Sequence, residues 1–196
     1  MRALRHAAAW RAEGHDLRVS VNLSPRNLLQ ATLADDVATM LRSTGVPASA
    51  LCLELTETSI MADPARTLAT LDQLRRIGVG IAIDDFGTGY SSLTHLKRLP
   101  VDEIKIDKSF VLSMGSDASD EAIVRSVIDL ARNLGIRVVA EGVEDGIVAD
   151  ALLARGCDLG QGYLYSRPLS AVAFGVWLRG RPDRRPNVVP FRVAAR

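Results

Sequence analysis

Six short apolar stretches of this chain each end in a polar or charged side chain: Asn22, Glu54, Asp84 with Asp85, Lys105, Glu141 and Gln161. Few folds suit that layout, because strands that finish in ionisable residues need a common place to put them. In a parallel (β/α) barrel the C-terminal strand ends open onto one mouth, where side chains from distant parts of the sequence converge. Between the stretches lie segments of helical period. The resulting order of strand, helix, strand, helix argues for parallel βα units.

The helices carry their own punctuation. Leu33, Val37, Met40 and Leu41 fall on one face of a helix over Leu33 to Thr44, with Gly45 as its C-cap. Asp63 followed by Pro64 is an N-cap and N1 proline, opening a helix through Leu68, Leu71 and Leu74 that stops at Gly78. A third starts at Asp120 and carries Ile123, Val127, Leu130 and Leu134 to Gly135. A fourth runs from Asp145 to Gly156. A fifth starts at Ser170, with Phe174, Trp177 and Leu178 facing inward.

The strands alternate. In VSVNLS, Val19, Val21 and Leu23 share one face, and Ser20, Asn22 and Ser24 the other. Leu51, Leu53 and Leu55 oppose Cys52, Glu54 and Thr56, and Ile104 and Ile106 oppose Glu103, Lys105 and Asp107. An apolar face toward helices, backed by small or ionisable residues, fits a barrel wall with a functional lumen. A doubly wound open sheet would be apolar on both faces. Six strands are assigned: Arg18 to Leu23, Leu51 to Leu55, Gly80 to Asp84, Glu103 to Asp107, Arg137 to Glu141, and Gly162 to Tyr165. The expected fold is therefore α/β, an incomplete TIM-like barrel with about six of the eight parallel strands and its helices outside.

Composition excludes more than it names. Of 196 residues, 47% are hydrophobic and 24% charged, and 24 basic side chains against 23 acidic ones leave a net charge of +1. No surplus points to DNA, RNA or a membrane surface. No stretch reaches the roughly 18 uninterrupted apolar residues of a membrane helix. Cys52 and Cys157 make neither a disulfide framework nor a CxxC metal motif, so a reducing, cytoplasmic setting is expected. His6, His15 and His95 are isolated and read as surface or packing residues. The segment 179–196, rich in Arg and Pro and without periodicity, is expected to be a flexible tail after a domain spanning 1–178.

Asn22, Glu54, Asp84 and Glu141, with Asp85 beside them, would present hard oxygen donors at a barrel mouth, a chemistry suited to magnesium or manganese. Two such ions roughly 4 Å apart form a clamp for phosphodiester hydrolysis. Lys105 would add a positive charge to hold a nucleophilic water or a phosphate. Each acid alone is more often a helix cap or turn residue. Six polar strand ends in register are harder to assign to capping. Asp84-Asp85-Phe86-Gly87-Thr88-Gly89-Tyr90-Ser91-Ser92 lacks the third glycine of a dinucleotide fingerprint and reads instead as a loop bending over the site. Glu57 either holds that loop or simply charges the start of the next segment.

VNLSPRNL, LELTETSIM, IAIDDFGTGYSSLTHLKRLPVDEIKIDKSFV, VVAEGVED and GQGYLYSRPL, in this order, resemble the EAL domain family of bacterial phosphodiesterases that hydrolyse cyclic di-GMP. The resemblance covers residues 3 to 178. It implies that Asn22, Glu54, Asp84 and Glu141 are metal ligands and that Asp85 binds a second ion. Lys105 would contact the catalytic water, Asp107 would be a metal-site partner, and Gln161 would line the nucleotide pocket. Glu141 is also a general-base candidate. Glu57 matches a glutamate that anchors the DDFGTGYSSL loop, through which the family couples dimerisation to metal binding; a homodimer or a partner chain of EAL or GGDEF type is therefore implied. The cofactor expected is Mg2+ or Mn2+, two ions per site.

The Glu-Ala-Leu motif itself is missing, and Met1 to Trp10 resembles the end of the helix that normally follows it. A complete barrel takes about 250 residues, so about 70 are lacking, through a missed upstream start or a shortened gene. The expected consequences are a lost metal ligand, impaired catalysis and unpaired strand edges. A non-catalytic module that binds cyclic di-GMP or another protein is the alternative. Enolase-like barrels rank lower, because their KxK base pattern is absent around Lys105.

Overall fold

The computed structural model describes residues 1–89, 96–180 and 192–193. Its strands form one all-parallel sheet in sequence order: β1 (Val19–Asn22), β2 (Leu51–Thr56), β3 (Gly80–Phe86), β4 (Glu103–Ile106), β5 (Arg137–Glu141), β6 (Leu159–Gln161) and the two-residue β7 (Arg192–Val193). Parallel neighbours must be joined by a crossover. Helix α1 (Arg2–Ala12) precedes β1, and the crossover helices among the described residues are α2 (Pro25–Leu28), α3 (Leu33–Thr44), α4 (Glu57–Met61), α5 (Pro64–Ile77), α6 (Lys108–Ser113), α7 (Ala118–Leu134), α8 (Gly146–Ala154) and α9 (Ala171–Arg179). They surround a half-barrel, as the alternation of strand and helix signals requires. Beyond Gly180, all of the expected tail except β7 lies outside the described residues, as does His95.

The helix signals act where the sequence puts them. Asp63, Asp145 and Ser170 cap α5, α8 and α9 by accepting from the backbone N–H of Arg66, Val148 and Ala173. Gly45, Gly78 and Gly135 close α3, α5 and α7 in the left-handed conformation. Outward-facing Leu53, Leu55, Ile81, Ile83, Ile104, Ile106 and Val138 join Val37, Leu41, Leu71, Leu74, Val124, Ile128 and Leu152 of the helices in one buried cluster. Phe174 and Trp177 stack with centroids 5.4 Å apart, and Trp10 of α1 meets Phe174 edge-on at 4.8 Å. His6 stacks on Trp10 and serves packing.

Three assignments are corrected. The last of the six expected strands lies at Leu159–Gln161, not Gly162 to Tyr165. A Cβ on Gly162 would sit 2.1 Å from the Val143 carbonyl oxygen, so the chain folds tightly against its neighbour there, and Tyr165 N–H donates back to the Gly162 carbonyl. Helix α7 begins two residues earlier than expected, at Ala118, because Asp117 is the N-cap and accepts from the backbone N–H of Ser119. Asp107 leaves β4 to cap α6, a short helix that periodicity is too brief to reveal.

At the N-terminal end of the sheet, Glu103 is 6% exposed and accepts from both Arg18 and Arg137. Arg18 reaches it by crossing Gly80, where a side chain would collide with the guanidinium. This closes the lumen's base with an ion-paired layer and leaves the opposite end for chemistry.

Candidate active site

Lys105 is the hub of the C-terminal rim. On β4 its neighbours Ile104 and Ile106 are fully buried in the core, so strand alternation turns Lys105 into the lumen. There, 2% exposed, its ammonium lies 3.1 Å from Glu54 Oε2 on β2, 2.8 Å from Asp84 Oδ1 on β3 and 2.7 Å from Glu141 Oε1 on β5. Burial disfavours its charge, but Glu141, Glu54 and the hydrogen bond to Asp84 outweigh that and hold its pKa above the ordinary lysine value.

Asp84 and Asp85 are consecutive, and in a regular strand they would face opposite ways. The β3–β4 register shifts between Ile83 and Phe86, and Asp85 has φ 53°, the one positive value among the described non-glycine residues. That irregularity turns both carboxylates to the mouth. Oxygens of Asp84, Asp85 and Glu141 lie within 4.8 Å of one another. Burial raises the Asp85 pKa, and Asp84, Asp107 and Glu141 raise it further. Asp107 hydrogen-bonds Asp85; burial pushes Asp107 up, but the Ser109 hydroxyl and N–H outweigh it and set its pKa below the usual aspartate value. The Ser109 N–H donates to Asp107 Oδ1 at 2.9 Å. Convergent hard oxygens whose mutual repulsion keeps one of them from ionising freely fit a divalent cation. Lys105 engages Oδ1 of Asp84 and Oε1 of Glu141.

Beside this cluster lies a cleft of about 380 Å³, lined among others by Asp85, Glu141, Gln161, Tyr163, Tyr165 and Trp177. Gln161 is placed by register, opposite Glu141 across β5 and β6. Arg167 lies 4.7 Å above the Tyr163 ring.

Of the residues singled out in the sequence, Glu54, Asp84, Asp85, Lys105, Asp107, Glu141 and Gln161 are thus brought to one rim. Asn22 pairs in register with Glu54 but is exposed, since within this sheet β1 is hydrogen-bonded only to β2. Glu57 is buried, and its carboxyl carbon lies 3.0 Å from where a Cβ on Gly89 would be, directly beneath the turn that follows Asp85. Tyr90, Ser91 and Ser92 of that turn lie outside the described residues. Sequence reasoning missed Ser109, for which Asp-x-Ser at a helix start was the available signal, and the aromatic wall of the cleft.

The EAL domain family model matches residues 1–168. The chain is 43% identical over 187 residues to the cyclic di-GMP phosphodiesterase NbdA of Pseudomonas aeruginosa, covering 94% of this chain and 24% of that protein. Among solved structures, the PaMucR phosphodiesterase in complex with c-di-GMP is 43% identical with a TM-score of 0.85, over 88% of this chain and 70% of that one. The EAL domain of Mycobacterium smegmatis DcpA is 42% identical with a TM-score of 0.87, over 92% and 82%. This chain thus spans about a quarter of the curated relative's length. No helix among the described residues is long and apolar enough to cross a membrane.

Proposed function

The chain belongs to the EAL domain family, and on that premise we propose that it hydrolyses cyclic di-GMP to the linear dinucleotide. The observation that carries the reading is Lys105, buried and ion-paired to carboxylates from three different strands beside the Asp84, Asp85 and Glu141 cluster. Structural packing alone does not call for four ionisable groups in one lumen, since a buried ion pair is seldom worth more than apolar side chains of the same volume.

Asp84, Asp85 and Glu141, with Glu54 and Asn22, would hold magnesium or manganese. When bound, such ions supply Lewis acidity and lower the pKa of water toward neutrality. Glu141, 3% exposed and held by Lys105, is fixed in place to accept a proton from the attacking water. The Lys105 ammonium, fixed by its three partners, supplies positive charge beside that water and the phosphate, and would release one carboxylate to donate to either. Gln161 and the aromatic residues of the cleft offer a polar contact and stacking faces for a nucleobase. The position of Glu57 beneath Gly89 supports its reading as an anchor of the loop.

Purified protein incubated with cyclic di-GMP and Mn2+ or Mg2+, with products separated by chromatography, tests this. Linear pGpG is expected. Its absence, also from a chain extended at the N terminus, rejects the proposal. The exposure of Asn22 favours one second reading, a domain that binds the nucleotide without cleaving it. Calorimetry showing binding without product would select that reading.

A further inference from the structure

The six-residue helix α6 touches the carboxylate cluster at three points. Ser109 donates both its N–H and its hydroxyl to the same oxygen of Asp107. With Oδ1 so occupied, the second oxygen of Asp107 is the one left for the mouth, where Asp85 lines the same cleft. One residue on, the Phe110 ring lies against Gly87, where a Cβ would come within 3.1 Å of the ring and the φ of 98° disfavours any side chain. One residue back, Lys108 abuts Gly142, where a Cβ would come within 2.6 Å of the Lys108 Cβ. Helix α6 therefore backs the turn that carries Asp85, the residue that follows Glu141, and Asp107 itself.

From this geometry we infer that Ser109 is a positioning residue. It locks the Asp107 carboxylate in one orientation beside Asp85 and Glu141, with which it lines the mouth, and so sets the cation affinity of the site. An N-cap role for Asp107 alone needs only the Ser109 N–H, which any residue at this position except proline supplies. The hydroxyl adds a second donor to the same oxygen, which fixes the rotation of the carboxylate, and such supporting contacts are worth on the order of tenfold in metal affinity. The inference rests on the reading of Asp84, Asp85 and Glu141 as a cation site.

The test measures binding of Mn2+ alone, by calorimetry and by the metal-induced rise in melting temperature, without substrate. Ser109→Ala is expected to weaken Mn2+ binding on the order of tenfold, and Ser109→Thr, which keeps the hydroxyl, to restore most of it. Ser113→Ala serves as a control. It removes a different hydroxyl of α6, one that donates to the Ser109 carbonyl at 2.6 Å and to Asp120, and should leave Mn2+ affinity unchanged. Unchanged affinity in Ser109→Ala overturns the inference while leaving the site intact. So does an equal loss in Ser113→Ala, which would mean general loosening of the helix, and so does failure of threonine to rescue. Absence of Mn2+ binding in the unaltered protein overturns the cation site itself, and this inference with it.

Discussion

Replacing Lys105 by methionine isolates what the hub contributes. Methionine keeps the unbranched shape and most of the volume, so the change removes charge more than packing. It leaves Glu54, Asp84 and Glu141, all less than 9% exposed, without their shared cation. Breaking a buried ion pair by removing one partner costs about 3–5 kcal/mol. In a chain of 196 residues, each kcal/mol moves the melting temperature by roughly 2–4 °C. The metal-free variant is therefore expected to melt about 6–20 °C lower than the parent. The pH dependence follows from the raised Lys105 pKa. A cation whose folded pKa lies above its unfolded value of about 10.4 stabilises fully below that value and loses the effect only as pH rises through the folded pKa. The gap between the two proteins should accordingly be flat from about pH 6 to pH 9. The assay is a thermal melt followed by circular dichroism in EDTA, repeated with Mn2+, which should raise the variant's melting temperature more than the parent's. A drop under about 2 °C in EDTA would refute the reasoning, because it would mean that water or local relaxation already screens the three carboxylates.

Asp85→Asn should raise the melting temperature of the metal-free protein and abolish the Mn2+-induced rise. The Asp85 pKa is raised, so its ionised form costs stability above the ordinary aspartate value of about 3.9, and asparagine tolerates φ 53°; a lower metal-free melting temperature would contradict this. Gly162→Ala forces a Cβ to within 2.1 Å of the Val143 carbonyl oxygen, and a loss of about 1–3 kcal/mol in urea unfolding is expected, whereas an unchanged midpoint would show that the β6 turn yields freely. Glu103→Leu removes the acceptor shared by Arg18 and Arg137 and should cost about 1.5–3 kcal/mol with no change in Mn2+ affinity. A weakened Mn2+ affinity would mean that the two ends of the lumen are coupled.

The strand ends were legible because period-two alternation and the polarity of the final residue coincide at Glu54, Asp84, Lys105 and Glu141. The caps at Asp63, Asp145 and Ser170 were legible because capping is a local transaction between a side chain and the next turn. What the sequence hid is tertiary. GYLYS reads as a strand from its aromatic content, yet Gly162 has no side chain because the Val143 backbone occupies that space. Asp84 and Asp85 look like alternating residues of one strand, and only the shifted pairing with β4 and the left-handed Asp85 bring both to the mouth. Ser109 is masked for a related reason: its Asp-x-Ser signal counts only where a helix starts at Asp107, and the alternation of EIKID assigns Asp107 to the strand. Asn22 was assigned by its position in the series, which carries no information about whether a neighbouring strand shields it.

A net charge of +1 describes the whole chain and misdescribes its working end. Around the mouth, Glu54, Asp84, Asp85, Asp107 and Glu141 gather about the single ammonium of Lys105, while the base holds two guanidinium groups against one carboxylate. Such a mouth attracts divalent cations and repels a phosphodiester, and in a partly desolvated lumen that repulsion is screened less than at an open surface. Gln161 and the aromatic wall carry no charge, and the cations that line the cleft, Lys108 and Arg167, are outside the ion-paired group around Lys105 and share the cleft with Glu144. Electrostatics predicts an order of events, with cations settling among the carboxylates first and the nucleotide approaching second. Affinity for cyclic di-GMP, measured by calorimetry under conditions that prevent turnover, should therefore rise steeply with Mn2+ or a non-catalytic divalent ion. Equal affinity in EDTA would show that the nucleotide binds away from this rim.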